Sequence, residues 1–262
     1  MALAMVQGMI EAGHPADCIA LADPSQERRA LLEQIGDVRT HEDNTAAVMH
    51  ADVVVLAVKP HLIEPVCRQL AHVIGQRNAL VVSVAAGVTI ATIRACLGSH
   101  ERIVRIMPNT PALVRRGVAG IYAPDQISQS DRDTVSGIIE SVGRALWVDR
   151  EEALHDVTAI SGSGPAYFFR FLECLEKEAT ALGFDADAAA MLVRDTAAGA
   201  VTMALAADVP LAELRRRVTS PGGTTEAALA AFEDGDLAAL IHRAVTAARQ
   251  RSLELARPSD ES

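Results

Sequence analysis

A run of six apolar residues, Val53 to Val58, constrains the fold more than any other part of this sequence. The run does not alternate between polar and apolar residues, which is typical of a parallel strand buried on both faces of a sheet. Other β-rich runs alternate with helical stretches up to about Asp149. The further strands are predicted at Cys18–Ala22, Leu80–Ala85, Ile103–Met107 and Gly120–Ala123, and the helices at Ser25–Gln34, Asn44–His50 and His61–Ile74. This alternation predicts a doubly wound α/β domain.

The sequence after Asp149 differs from the first half, because it contains no further β-rich runs. Long stretches rich in alanine and leucine are helical by propensity there, at Ala166–Leu182, Ala186–Ala207 and Leu237–Ala256. We therefore predict two domains, an α/β domain at 1–150 and an all-α domain at 151–262. A helical half with so much apolar surface favours burial against a second copy over a self-contained bundle, so we predict a homodimer or an assembly of such dimers.

Composition and charge exclude several classes of function. The formal net charge is −10, and the densest basic cluster, Arg215 to Arg217, is interpreted as a solvated helix end, so no nucleic-acid partner is expected. No metal site is expected either, because there is no H-E-x-x-H pattern and no C-x-x-C pair among Cys18, Cys67, Cys96 and Cys174. We recognise no signal peptide and no apolar stretch near the ~20 residues of a membrane span. These features favour a cytoplasmic protein without a membrane partner.

Small and polar residues follow three consecutive predicted strands. The three loops read Ala57-Val58-Lys59-Pro60, Ser83-Val84-Ala85-Ala86-Gly87-Val88 and Arg105-Ile106-Met107-Pro108-Asn109-Thr110-Pro111. Ligands of open α/β sheets bind outside the carboxyl ends of the strands. Each loop alone is compatible with an ordinary turn, but together they predict one continuous ligand crevice.

Two glycine-rich stretches lie in the helical half. We interpret Ser161-Gly162-Ser163-Gly164-Pro165-Ala166-Tyr167 as a capped helix start, because it lacks the spacing of a nucleophile elbow. The second stretch, Thr219-Ser220-Pro221-Gly222-Gly223-Thr224-Thr225, runs into a predicted helix at Glu226–Phe232. Free N–H groups at a helix start bind anions, so this stretch predicts a site for a small carboxylate, with an ordinary helix cap as the alternative.

Together, five motifs closely resemble those of the pyrroline-5-carboxylate reductase family in order and spacing: A-V-K-P, S-V-A-A-G-V, R-I-M-P-N-T-P, S-G-S-G-P-A-Y and T-S-P-G-G-T-T. The resemblance covers essentially the whole chain. It implies a Rossmann-type N-terminal domain that binds NADPH or NADH, and a helical C-terminal domain that interlocks with a partner subunit. It also implies an oxidoreductase that converts 1-pyrroline-5-carboxylate to L-proline, the final step of proline biosynthesis.

The resemblance implies roles for individual residues as well. Substrate-binding positions match Ser220, Gly222, Gly223 and Thr224, where backbone N–H groups hold the carboxylate. Thr225 matches the catalytic threonine, which hydrogen-bonds the ring nitrogen. Cofactor contacts match a larger set: Asn44, Ala57, Val58, Lys59, Pro60, Ala85, Ala86, Gly87 and Asn109.

Asp23 is a further candidate for cofactor binding, because it ends the strand at which Rossmann domains distinguish NAD from NADP. An acid there binds the ribose hydroxyls of NAD. Arg28 and Arg29 follow about a turn later, within reach of the 2′-phosphate of NADP. These two signals oppose each other, so the sequence leaves the preference between NADH and NADPH open.

The N-terminus departs from the family pattern. Family members begin with a short strand and a glycine-rich turn, whereas this sequence opens on Met1-Ala2-Leu3-Ala4-Met5, which resembles the helix after that turn. The missing strand belongs in the middle of the sheet, where its absence leaves backbone groups of both neighbours unpaired. We therefore expect the natural protein to start upstream of Met1.

Two alternative functions stay open. A truncated, cofactor-poor relative without catalysis is suggested by the missing glycine turn. The other alternative is a different Rossmann-type imine or hydroxyacid reductase. A 3-hydroxyacid dehydrogenase of this kind is disfavoured, because such enzymes place a catalytic lysine early in the helix from Pro165, whereas this helix carries only Lys177, well along its length.

Overall fold

The structure is a computed structural model that describes residues 1–256. The chain forms two compact units. Unit 1 comprises Met1–Ser163 together with the C-terminal segment from Ala248, and unit 2 comprises Gly164–Ala247.

Unit 1 is an α/β domain, as the sequence predicts. Its strands are β1 (Ala20–Ala22), β2 (Arg39–His41), β3 (Val53–Leu56), β4 (Leu80–Ser83), β5 (Ile103–Met107), β6 (Gly117–Tyr122) and β7 (Gly143–Trp147). Its helices are α1 (Ala2–Glu11), α2 (Gln26–Glu33), α3 (Asn44–Val48), α4 (Ile63–Arg77), α5 (Ile90–Cys96), α6 (Gln129–Glu140) and α7 (Ala153–Val157).

The strands of unit 1 form two separate sheets. β1 pairs in parallel with β2, while the other five strands form a sheet in the order β3-β4-β5-β6-β7. Within this larger sheet β5 and β6 are antiparallel and the other pairs are parallel.

The core of unit 1 follows from the patterns of its central elements. The strand predicted at Val53–Val58 forms β3, but the prediction that it is buried on both faces is wrong, because β3 is the edge strand of its sheet and alternates between half-buried and buried residues. Its neighbour β4 is buried at every residue, as expected for a strand covered on both faces. α4 buries Ile63, Cys67, Leu70 and Ile74, which share one face of the helix by their spacing. The helix ends at Asn78, which adopts the left-handed conformation (φ 49°) common at helix ends. Burying each such large apolar side chain contributes about 1.5–3 kcal/mol.

Two strands of unit 1 were missed by the sequence analysis. β2 is a short polar strand, Arg-Thr-His, whose sequence carries no apolar run. β7 alternates between half-buried and exposed residues, because it is the last strand of its sheet and is covered only in part. Both strands form because a neighbouring strand offers a ladder of backbone hydrogen bonds, which residue types alone do not reveal.

Unit 2 is all-α, as predicted. Its helices are α8 (Gly164–Ala181), α9 (Ala186–Ala206), α10 (Leu211–Arg217), α11 (Thr224–Asp234) and α12 (Leu237–Leu255), whose last residues belong to unit 1. α9 starts with a cap, because the Asp185 carboxylate accepts the N–H of Ala188 at 2.8 Å.

The Ser161 stretch does contain a helix start, as predicted, because α8 begins at Gly164. α7 runs through a π-helical turn at Thr158–Gly162 directly toward α8, and Ser163 keeps a right-handed helical conformation. Its N–H donates to the carbonyl of Thr158 at 2.8 Å. The residue before α8 therefore lacks the extended conformation of an ordinary N-cap residue.

Unit 2 leaves much of its apolar surface exposed within one subunit. Phe168 is 67 %, Phe169 68 % and Leu182 79 % exposed. By length and composition alone, α9 is long and apolar enough to cross a membrane, because its mean hydropathy reaches 1.3 over 18 residues. The statement that the sequence holds no such stretch is therefore wrong by this criterion. Arg194 and Asp195 interrupt the apolar residues of α9. A search of the sequence for a continuous apolar run therefore does not find this helix.

Candidate active site

Asp23 lies directly after β1 and is in contact with Arg28 and Arg29. In the sequence the acid indicates a preference for NAD and the two arginines a preference for NADP. Its carboxylate accepts the N–H of Ser25 at 2.8 Å and lies 3.6 Å from the exposed guanidinium of Arg28. The Arg29 guanidinium donates to the carbonyl of Asp23 at 2.7 Å. The acid and both arginines thus share one corner of unit 1, so the two opposing signals for NADH and NADPH lie side by side.

Asn44 opens α3, which packs against β1 and β2. Its side-chain amide donates to Gln69 at 3.1 Å, and Gln69 in turn donates to Asp43 at 3.0 Å. The Asp43 carboxylate caps α3 by accepting the N–H of Ala46. These bonds fix the position of Asn44 through α4, where Gln69 is located.

The strand-end loops lie beside one another, as the crevice hypothesis requires. β3 and β4 are parallel neighbours with Leu56 opposite Ser83, so Ala57–Pro60 and Ala85–Gly87 leave the sheet at the same edge. β5 adds Met107 and then Asn109 at that edge. Lys59 is exposed and Ala85 is buried. The structure therefore brings together the predicted residues of three consecutive strands.

Gly87 has a structural reason to be glycine that the sequence did not reveal. Its φ is +77°, a conformation that side chains disfavour. A Cβ at this position would also lie 3.0 Å from the carbonyl oxygen of Leu255, at the end of α12. The end of the chain's last helix therefore packs directly on the loop that is predicted to contact the cofactor.

Asn109 is buried, and both ends of its amide bond to the protein. Its nitrogen donates to the carbonyl of Ser161 at 2.9 Å, and its oxygen accepts the N–H of Val118 at 2.9 Å. The side chain thus connects the loop after β5 to β6 and to the π-helical turn. These two bonds fix the orientation of the Asn109 amide at the strand edge.

A buried ion pair beneath these loops was missed by the sequence analysis. Glu151 accepts from Arg105 on β5 at 2.9 Å and from the N–H of Ile90, the first residue of α5, at 2.8 Å. The Arg105 side chain is only 5 % exposed. One carboxylate therefore fixes the strand end of β5 and the helix that follows the Ala85–Gly87 loop. The nearest signal in the sequence was the arginine in R-I-M-P-N-T-P.

His155 forms a second buried contact in unit 1. Its Nδ1 lies 2.8 Å from the Ser252 hydroxyl on α12, while Arg249 on the same helix pairs with Asp156. Burial lowers the pKa of His155, and the positive charges of Arg105 and Arg249 lower it further. Both effects favour the neutral form of the imidazole, which anchors the end of α12 through Ser252.

The glycine turn of unit 2 has the expected form, and the chain's own atoms bind two of its donors. Gly222 has a φ of +69°, and Gly223 is the N-cap residue of α11. The N–H of Gly223 donates to the carbonyl of Ser220 at 3.0 Å, while that of Gly222 donates to the Glu226 carboxylate at 2.7 Å. Thr224 and Thr225, the first residues of α11, are exposed, and N–H groups at these positions have no partner within a helix.

α11 is held in place within unit 2 by an aromatic contact. The rings of Phe171 on α8 and Phe232 on α11 are tilted by 51° with their centroids 6.3 Å apart. Aromatic pairs favour tilted or offset-stacked geometries over a face-to-face sandwich, and this pair is of the tilted kind. The contact anchors the far end of α11, so the glycine turn stands at the start of a fixed helix.

Two family models match the chain. One, described as pyrroline-5-carboxylate reductase dimerisation, matches residues 151–255, and the other, described as NADP oxidoreductase coenzyme F420-dependent, matches residues 1–87. With the α/β fold of unit 1 and the helices of unit 2, they define a nicotinamide-dinucleotide-dependent oxidoreductase with a dimerisation domain.

Relatives and solved structures make the assignment specific. A pyrroline-5-carboxylate reductase of Pseudomonas aeruginosa is 44 % identical over 98 % of this chain and 93 % of its own length. The structure of one from Coxiella burnetii superposes with a TM-score of 0.93 at 40 % identity, over 98 % of this chain and 95 % of that one. Another from Plasmodium falciparum, with NADP bound, gives a TM-score of 0.85 at 27 % identity, over 97 % and 94 %. The chain belongs to the pyrroline-5-carboxylate reductase family.

Family membership confirms several predictions from the sequence. The fold class, the oxidoreductase class, the NAD(P)H cofactor and the small-molecule substrate are confirmed, and the helical half is a dimerisation domain that makes the protein a homodimer. The comparisons favour this reductase over the 3-hydroxyacid dehydrogenase and over a non-catalytic relative.

Proposed function

We infer that this chain catalyses the reduction of 1-pyrroline-5-carboxylate to L-proline with NAD(P)H, the final step of proline biosynthesis. The observation that carries the inference is the family likeness along 98 % of the chain, with the glycine turn before α11 intact. In this reaction a hydride is added to the imine carbon and a proton to the imine nitrogen, which leaves a secondary amine. The nicotinamide supplies the hydride, and the protein supplies position and electrostatics.

We propose that the two tasks are divided along the chain. Residues 1–150 form the dinucleotide-binding domain, and residues 151–262 form the domain for dimerisation and substrate binding. The matches of the two family models support this division, because they cover residues 1–87 and 151–255.

The strand-end residues of unit 1 fit a dinucleotide. The loops after β3 and β4 offer small side chains at Ala57, Ala85 and Ala86, which let a flat ring or a sugar approach the backbone, and Lys59 is exposed beside them. Asp23 provides acceptors at the end of β1. We propose that Asp23, Asn44, Ala57–Pro60, Ala85–Gly87 and Asn109 hold the cofactor.

The glycine turn of unit 2 fits the substrate carboxylate. Backbone N–H groups at a helix start carry a partial positive charge and favour an anion. We propose that Ser220, Gly222, Gly223 and Thr224 hold the carboxylate, which presents one face of the imine. The hydroxyl of Thr225 hydrogen-bonds the ring nitrogen, where the proton resides in the product.

Replacement of Thr225 tests the catalytic role. We expect Thr225→Ala to lower kcat by about 10- to 100-fold with unchanged folding, since one positioned donor at oxyanion-type sites contributes 10²–10³-fold and a neutral imine requires less. Thr225→Ser keeps the hydroxyl and should recover most of the rate. Thr180→Ala removes an exposed threonine hydroxyl from α8 and serves as the matched control. Wild-type turnover in Thr225→Ala would remove this residue from the mechanism.

A charge placed at the strand edge tests the cofactor site. Ala86 is exposed in the loop after β4, so Ala86→Glu should leave the fold intact and raise the KM for NADPH at least several-fold, because the new carboxylate repels the phosphates. Ala95→Glu places the same charge on the exposed face of α5 and is the control. Equal KM values for NADPH in the two variants would place the cofactor elsewhere.

We further propose that the homodimer works in the cytoplasm, where NAD(P)H is regenerated, and that dimers assemble further. The exposed apolar residues of unit 2 support an extensive subunit interface. The apolar surface of α9 is then covered by the partner subunit rather than by a membrane. The position of α9 supports this, because the helix lies in the part of the chain that matches the dimerisation family model. Light scattering of the purified protein measures the assembly.

A further inference from the structure

The glycine turn of unit 2 holds a carboxylate that belongs to the chain itself. The side chain of Glu226 reaches back from the first turn of α11, and its Oε2 accepts the N–H of Gly222 at 2.7 Å. This is the short distance of a hydrogen bond to a charged acceptor. Gly222 is one of the residues proposed to bind the substrate carboxylate. The internal acceptor and the substrate therefore carry the same chemical group.

The arrangement differs from an ordinary capping box. In a capping box the N-cap side chain accepts from the third helical residue, while the glutamate there reaches back to the N-cap N–H. Here the N-cap residue is Gly223, which has no side chain that could accept the second hydrogen bond. Glu226 accepts instead from the N–H of Gly222, the residue before the N-cap. The Gly223 N–H already closes the turn onto Ser220 at 3.0 Å. Glu226 therefore accepts a hydrogen bond from the N–H of Gly222, but no bond is returned to it from an N-cap side chain. A capping box has both bonds and acts only as a local stabiliser of the helix start.

We propose that Glu226 is an internal competitor for the substrate carboxylate, and that its displacement from the Gly222 N–H sets the affinity for 1-pyrroline-5-carboxylate. The inference rests on the proposed role of the glycine turn in substrate binding. One N–H serves two carboxylates poorly, and two carboxylates at one helix start repel each other. Glu226 is exposed, so its side chain is free to rotate into solvent when the substrate arrives.

Replacement of Glu226 by glutamine tests the proposal, because it keeps the size of the side chain and removes its charge. A charge at a helix N-terminus changes the binding of another anion by about 0.3–1 kcal/mol, which corresponds to roughly two- to fivefold. We expect Glu226→Gln to lower the KM for 1-pyrroline-5-carboxylate by about this factor and to leave the KM for NADPH unchanged. Inhibition by L-proline should strengthen by a similar factor, whereas inhibition by L-prolinamide, which lacks the carboxylate, should not.

Two further variants make the result interpretable. Glu233→Gln removes the same charge from the last turn of the same helix, away from the glycine turn, and should change neither KM. Gly222→Ala disturbs the turn itself, because a φ of +69° is strained for alanine, and should raise the substrate KM. Loss of a merely structural cap would lower the melting temperature without improving the affinity for substrate, so the direction of the change in KM separates the two roles.

The outcomes distinguish the inference from the function on which it rests. A lower substrate KM in Glu226→Gln, with a higher one in Gly222→Ala, supports both. An unchanged or higher KM in Glu226→Gln, with a higher one in Gly222→Ala, overturns the competition and leaves the glycine turn as the substrate site. If neither variant changes the substrate KM, the turn does not bind the carboxylate and both proposals are wrong. Glu226→Asp, which keeps the charge but shortens the reach, repeats the test should the glutamine variant fold poorly.

Discussion

Units 1 and 2 bury their apolar residues very differently, although both are rich in them. In unit 1 the strand residues Leu80, Val81 and Val82 have no solvent exposure at all. In unit 2 the large side chains of α8 and α9 are mostly exposed, and the few buried residues include the small Ala179 and Ala189. Unit 1 therefore completes its core within one subunit, whereas unit 2 needs the partner subunit of the dimer to cover its apolar surface. Exposed apolar surface on this scale marks an interface.

The largest effect is expected from charges on the exposed face of unit 2. Phe168→Asp combined with Phe169→Asp should convert the dimer to a monomer and lower activity by more than about 100-fold, because the interface supplies most of the apolar burial of the helical domain. Light scattering and a steady-state assay measure both effects. Leu31→Asp alters an exposed apolar residue of unit 1 and should leave the dimer intact. A dimer that survives the double substitution would show that unit 2 buries these residues in another way.

A smaller effect is expected from the buried ion pair of unit 1. Glu151→Ala leaves the buried Arg105 guanidinium and the Ile90 N–H without their acceptor, and should lower the free energy of unfolding by about 2–3 kcal/mol. Arg194→Ala breaks the exposed pair with Glu176 in unit 2 and should cost less than about 1 kcal/mol. Denaturant titration of the two variants compares them directly. Equal losses of unfolding free energy in the two variants would contradict the view that the ion pair of unit 1 contributes more because it is buried.

The smallest effect is a pH dependence that is confined to unit 1. The pKa of His155 is lowered in the folded protein by burial and by Arg105 and Arg249, which outweigh the opposing carboxylates of Asp156 and Glu151. The unfolded chain then takes up the proton more readily, so this contribution to stability is present above about pH 6.5 and is lost as the pH falls toward the folded-state pKa. His155→Gln should flatten the loss of stability between pH 7.5 and 5.5. The exposed His72→Gln should follow the wild type, and identical slopes in all three proteins would contradict the assignment.

The sequence predicted best where one segment carries its own signal. The apolar runs of β3, β4 and β5 were located correctly, and the loops that follow them lie at one edge of the sheet because those strands are parallel neighbours. β2 and β7 were missed, since each depends on a partner strand for its hydrogen bonds. The helix start expected in the Ser161 stretch lies at Gly164, but the π-helical turn directly before it was not predicted, because no residue pattern in the sequence marks such a turn.

By itself, the sequence determined the fold class, the family and the glycine turn, since hydrophobic periodicity and short motifs are local properties of a chain. Tertiary structure alone decided that Leu255 packs on Gly87, that Glu151 joins Arg105 to Ile90, and that residues of α12 close the α/β unit. Each of these contacts joins residues far apart in the chain. Their geometry follows from packing and from the need to satisfy buried polar groups, and no pattern of neighbouring residues encodes it.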